Sequence, residues 1–123
     1  MSLVKYQNSV NQFLASKDGF EITLKREDQL HPFISGNKFR KLKYNLIRAK
    51  QEGYETLLTF GGAFSNHLTA TAAAGKILGF NTIGIVRGEE DRKFNHSLQF
   101  CQHQGMTLHR ISRDDYRLKH LPE

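Results

Sequence analysis

Lys38, in the stretch SGNKFRKLKY, and the run Ser65-Asn66-His67, in LLTFGGAFSNHLTATAAAG, are the residues whose types and settings could do chemistry. A lysine amine in water is protonated and has no lone pair to offer. Moved out of water, its pKa falls and it can attack a carbonyl to form a Schiff base. On a helix of 3.6 residues per turn, Lys38 shares a face with Leu42, and Leu46 and Ala49 extend that stripe. The same spacing allows a second reading, in which the stem lies on apolar surface and the amine stays in water. The serine-asparagine-histidine run follows an apolar strand and the pair Gly61-Gly62. Glycines there permit a tight turn and close backbone approach, and the helix opening at Ser65 offers N–H groups and a favourable field to an anion. In open α/β sheets, ligands sit beyond the carboxyl ends of the strands, where this loop lies. An ordinary turn with a serine cap explains Ser65 but leaves Asn66 and His67 unaccounted for.

Other site chemistries fit less well. Gly61, Gly62 and Gly75 are wrongly spaced for a dinucleotide fingerprint. Gly75-Lys76 is not a phosphate loop, because Ala70 stands at the first glycine position and Ile77 at the Ser/Thr position. No spacing among the six histidines and Cys101 has a zinc signature, so no metal is expected. Cys101 reads as a buried helix residue rather than a nucleophile.

The elements that must position these residues follow from periodicity. Residues 4–15 have a weak helical pattern. Phe20 to Lys25 alternates as a half-buried strand. After the polar loop REDQLHPFISG, Asn37 reads as the N-cap of a helix running to Gly53. TLLTF and TIGIV read as apolar strands, with an alanine-rich helix capped by Ser65 between them and stopping near Gly79. A helix over Lys93–His103, the strand MTLHRI and a helix begun by Ser112 and Asp115 as a capping box complete the pass. The polar run from Arg87 to Lys93 reads as a solvated loop. Alternation of strand and helix from residue 56 onward argues for a parallel sheet with helices on its faces.

Composition narrows the class. A hydrophobic fraction of 38% with nine phenylalanines favours a folded chain. The N-terminus MSLVKYQNSV lacks the apolar stretch of a signal peptide, and the lone cysteine forms no internal disulfide, so a cytoplasmic protein is expected. On the same ground, the sequon Asn95-His96-Ser97 reads as chance. No run is long enough to span a membrane. The net charge of +6 is spread along the chain, and no RNA-reading motif or zinc finger accompanies it, so no nucleic-acid partner is expected. From a different class, the alternatives are a basic interaction module binding nucleic acid or protein, or an inactive fragment.

KREDQLHPFISGNKFRKLKY and TFGGAFSNHLTATAAAG, in that order and at that separation, resemble the pyridoxal-phosphate enzymes of the 1-aminocyclopropane-1-carboxylate deaminase and D-cysteine desulfhydrase family. The resemblance covers essentially the whole chain. It implies an α/β fold of the tryptophan-synthase-β-like kind, a three-layer parallel sheet with flanking helices, here truncated because family members are much longer. Residues 1–52 would then belong to the larger cofactor domain and carry the Schiff-base lysine, and residues 53–123 would form part of the smaller α/β domain. The resemblance assigns Lys38 as the lysine that joins pyridoxal 5'-phosphate. It assigns Asn66 to the phenolic oxygen of the pyridoxal ring, and Ser65 to the substrate carboxylate or a proton transfer. The helix start at Ser65, Asn66 and His67 would bind the substrate, and Asn37 and Arg40 would be structural. His67 stands where better-known members often carry glutamine. Substrate identity is therefore open among D-cysteine, aminocyclopropane-carboxylate and D-serine. The implied reaction is deamination or β-elimination on a small amino acid, releasing ammonia and a keto acid. The implied assembly is a homodimer of the full-length form. The phosphate-binding loop and the partner of the pyridine nitrogen fall outside these residues, so little activity is expected of them alone.

Overall fold

The computed structural model of the chain describes residues 7–88 and 93–120. It opens with an antiparallel hairpin, β1 (Asn11–Lys17) and β2 (Phe20–Lys25). This overturns the helix expected over residues 4–15, of which residues 4–6 lie outside the described residues. The reason is the two-residue turn Asp18-Gly19, in which both residues have positive φ, 52° and 80°. That turn matches the twist of two paired strands, and pairing outweighs a weak helical pattern. The strand expected over Phe20 to Lys25 is present, but it is exposed on both faces rather than half-buried.

After a short 3-10 turn at Glu27–Gln29, α1 spans Gly36–Gln51. Its N-cap is Ser35, not Asn37, and the Ser35 side chain makes no capping hydrogen bond. The order β3 (Thr56–Gly62), α2 (Asn66–Leu78), β4 (Asn81–Arg87), α3 (His96–His103), β5 (Met106–Ile111) and α4 (Arg113–Leu118) follows. β3, β4 and β5 form a parallel sheet in that order, with Thr56 opposite Asn81 and Thr82 opposite Met106. The chain is thus an α/β fold with a parallel sheet flanked by helices, plus the N-terminal hairpin.

Helix α2 is the centre of packing. Ala70, Thr71, Ala72, Ala73 and Ala74 are all buried, because small side chains let the helix wedge between two cores. On one side, Ala70, Ala73 and Ala74 meet Leu30, Ile34 and the α1 residues Phe39, Leu42 and Leu46. On the other, Leu68 and Ala72 meet Val86, Leu98, Cys101 and Met106. The buried stripe of α1 therefore runs through Phe39, Leu42 and Leu46, and Lys38 stands half-buried at its edge. Tyr116 of α4 reaches the opposite face of the sheet, with its ring 6.0 Å from that of Phe60. Among the described residues, no helix is long and apolar enough to cross a membrane.

Candidate functional site

A cleft of about 600 Å³ opens where α1, α2 and α3 converge. Lys38 and Asn37 line it from the first turn of α1, Asn66 and Thr69 from α2, and His96 and Ser97 from the start of α3. The loop before α1 adds Pro32 and Phe33, and the Phe33 ring sits 5.3 Å from that of Phe100. The lining thus combines an amine, amides and hydroxyls with the Asp28 carboxylate and two aromatic rings. Lys38 has no hydrogen bond or ion pair among the described residues.

Each wall is held by short-range chemistry. The Ser65 hydroxyl caps α2, accepting from the N–H groups of His67 at 3.2 Å and Leu68 at 3.4 Å. Those donors, expected to meet an anion, therefore already have a partner in Ser65. Close approach at Gly61 serves the same cap: a Cβ there would lie 2.7 Å from Ser65 Oγ and 2.8 Å from Leu68 Cγ. Asn95 caps α3 through Leu98 N–H at 3.0 Å, and its amide donates to the Ala63 carbonyl at 2.8 Å. That second bond ties the start of α3, whose His96 and Ser97 line the cleft with Asn66, to the turn before Ser65. It also gives Asn95 a structural use within the sequon. The helix begins at His96 rather than Lys93, because Asn95 is its cap.

Behind α1, Arg40 makes two hydrogen bonds to Glu27, at 2.9 and 3.0 Å. Those two bonds hold the Glu27 carboxyl down to about 2. A structural role for Arg40 accords with this contact. Burial, then the charges of Lys38 and Lys41, hold the His67 imidazole below its usual range. Burial pushes the Cys101 thiol up to about 11, so it is no thiolate near neutral pH. No group of three or more metal-ligating side chains is assembled among the described residues.

Of the four residues singled out from sequence, the structure brings Lys38 and Asn66 onto one cleft. Ser65 acts as a cap and His67 is half-buried, and neither lines the cleft. Sequence reasoning missed Thr69, Phe33 and the α3 contribution of His96, Ser97 and Phe100. The Asn95 cap was a readable signal for where α3 starts. The bond from Asn95 to Ala63, which aims that start, joins distant residues and has no local signature.

Comparison with known proteins places this geometry in context. The chain is 35% identical over 104 residues to the bifunctional D-cysteine desulfhydrase/1-aminocyclopropane-1-carboxylate deaminase, mitochondrial, of Arabidopsis thaliana, covering 80% of this chain and 26% of that protein. It is 38% identical over 73 residues to the D-cysteine desulfhydrase of Salmonella paratyphi A, covering 59% of this chain and 22% of that protein. A crystal structure of an ACC deaminase homologue superposes with a TM-score of 0.78 at 29% identity, covering 93% of this chain and 36% of that one. No family model matches. The chain spans about a quarter of the length of these curated relatives. In sequence and fold it is related to the pyridoxal-phosphate-dependent deaminase/desulfhydrase superfamily of fold type II.

Proposed function

We propose that this chain carries the lysine-bearing wall of a pyridoxal 5'-phosphate site, acting in deamination or β-elimination on a small amino acid of the D-cysteine or aminocyclopropane-carboxylate kind. The observation that supports it most is the convergence of Lys38 and Asn66, from separate helices, on one cleft. The residues fit the cofactor chemically: an amine without a partner among the described residues, an amide lining the same cleft, and a volume in the range of cofactor sites. When bound, the cofactor would supply an electron sink for cleavage at the substrate's α-carbon. Lys38 would hold the cofactor covalently and then carry a proton to or from that carbon. Asn66 would orient the ring by donating to its phenolic oxygen. Ser65 would keep Asn66 in place through the α2 cap, and Ser65 and His67, set back from the cleft lining, would act on the substrate through Asn66 rather than by direct contact. The paired rings of Phe33 and Phe100 would help exclude water.

In this scheme residues 1–52 group with the cofactor-holding part and residues 53–123 with a smaller α/β unit. The products are ammonia and a keto acid, with sulfide as well from D-cysteine. A visible-absorbance titration with pyridoxal phosphate tests the proposal. A protein-bound band is expected in the unaltered chain and none in Lys38→Ala. An equal band in both would overturn it.

A further inference from the structure

We propose that His31 is a positioning residue of this cleft: its imidazole clasps the loop that forms one wall and leads into the helix of Lys38. The proposal deepens the cofactor site and rests on it only for what the cleft holds.

His31 Nδ1 accepts hydrogen bonds from the backbone N–H groups of Phe33 and Ile34, both at 3.1 Å. A side-chain acceptor gripping the amides two and three residues on is the device by which Asp and Asn fix turns. Pro32, between them, has a fixed φ and no N–H to compete. Leu30 and Ile34 are 1% and 2% exposed, so the loop is anchored on both sides of the clasp. Phe33, between those anchors, is turned outward at 53% exposed and laid against Phe100 across the cleft. The next residue after Ile34 is Ser35, whose side chain does not cap α1. His31 thus supplies the side-chain acceptor that orders the approach to Gly36, Asn37 and Lys38.

The clasp works only while Nδ1 is unprotonated, since the imidazolium form has donors on both nitrogens. Burial holds the imidazole below its ordinary range, which keeps the clasp closed near neutral pH. The titratable groups around the cleft are Asp28, itself paired with Arg26 at 2.7 Å, and Lys38 and His96. None of them is hydrogen-bonded to the His31 ring among the described residues.

The test is a nitrogen-15 NMR titration of the whole chain from about pH 8 to about pH 5. Pyridoxal phosphate trapped on Lys38 by borohydride is mapped at the same pH values. The variants are His31→Ala, which lacks the acceptor, and His31→Asn, which offers an oxygen that does not titrate. In the unaltered chain the Phe33 and Ile34 amide signals should move with the His31 titration. In His31→Asn they should stay flat. The ratio of Lys38 labelling in the unaltered chain to that in His31→Asn should fall with the same midpoint. His31→Ala should label roughly tenfold less, for two lost hydrogen bonds, and His31→Asn should recover to within about twofold. Amides blind to His31, a flat labelling ratio, or full labelling in His31→Ala would each overturn the proposal. Titrating amides with no Lys38 labelling in any variant would remove the cofactor assignment and leave the clasp supported.

Discussion

Glu27 and Arg40 show how single residues tie the hairpin side of the molecule to the helix that carries Lys38. The Glu27 carboxyl is held at about 2, against 4.5 for the ordinary group. The unfolded chain therefore binds more protons between those values. The stabilisation is complete above about 4.5 and is lost as pH falls toward about 2. Asp28, held low by Arg26, contributes with the same sign. Denaturant melts across that window should show a steep loss of stability, and Glu27→Gln should flatten part of it. An unchanged slope in the variant would show that the Arg40 contact does not stabilise the fold. His67 acts in a higher window. Its folded pKa lies below the ordinary 6.5, so stability should decline as pH drops below that value. His67→Gln should remove this decline, as read by the same melts near neutral pH. Nothing in the local sequence disclosed either shift. Arg40 and Glu27 are thirteen residues apart, and the charges acting on His67 come from another helix.

Helix starts decide where the site residues point. Ser65→Ala should cost about 1 kcal/mol, the usual worth of an N-cap. Gly61→Ala should cost about 1–3 kcal/mol, because its Cβ would press on both Ser65 and the buried Leu68. Urea unfolding measures both, and a Gly61→Ala chain as stable as the parent would contradict the packing described. The Ser65 cap was legible in sequence because a serine before an alanine-rich run is a local signal. The parallel strands were legible for a similar reason, as short apolar runs ending in glycine or charge. The first hairpin is less legible: residues 4–15 taken alone have weak helical spacing, and the strong turn signal that overrides it, Asp18-Gly19, lies beyond that window. The Ser112 cap was legible too, with one difference. The hydroxyl accepts from Asp115 N–H, but it also meets the Asp115 carboxylate at 2.6 Å.

At the scale of the whole molecule, the hairpin and the α/β body are joined lightly. Gln7 N–H to the Leu30 carbonyl and Arg26 N–H to the Val10 carbonyl connect the hairpin's flanks to one another. The hairpin's own side chains stay open, with Phe20 75% exposed. Gly19→Val, at a φ of +80° that a β-branched residue resists, should therefore free the amides of residues 11–25 in hydrogen exchange. Protection in α2 and β4 should be unchanged, and its loss there would mean that the two parts fold as one. The cleft is a product of the same scale, since its walls come from three helices and a loop. Sequence located Lys38 and Asn66 on it, but not the α3 side, which depends on tertiary packing. Borohydride reduction of the chain with pyridoxal phosphate, followed by peptide mapping, tests the central assignment most directly. The expected result is one reduced adduct on Lys38, abolished in Lys38→Ala. Label spread over Lys41, Lys43 and Lys76, or absent from Lys38, would contradict it.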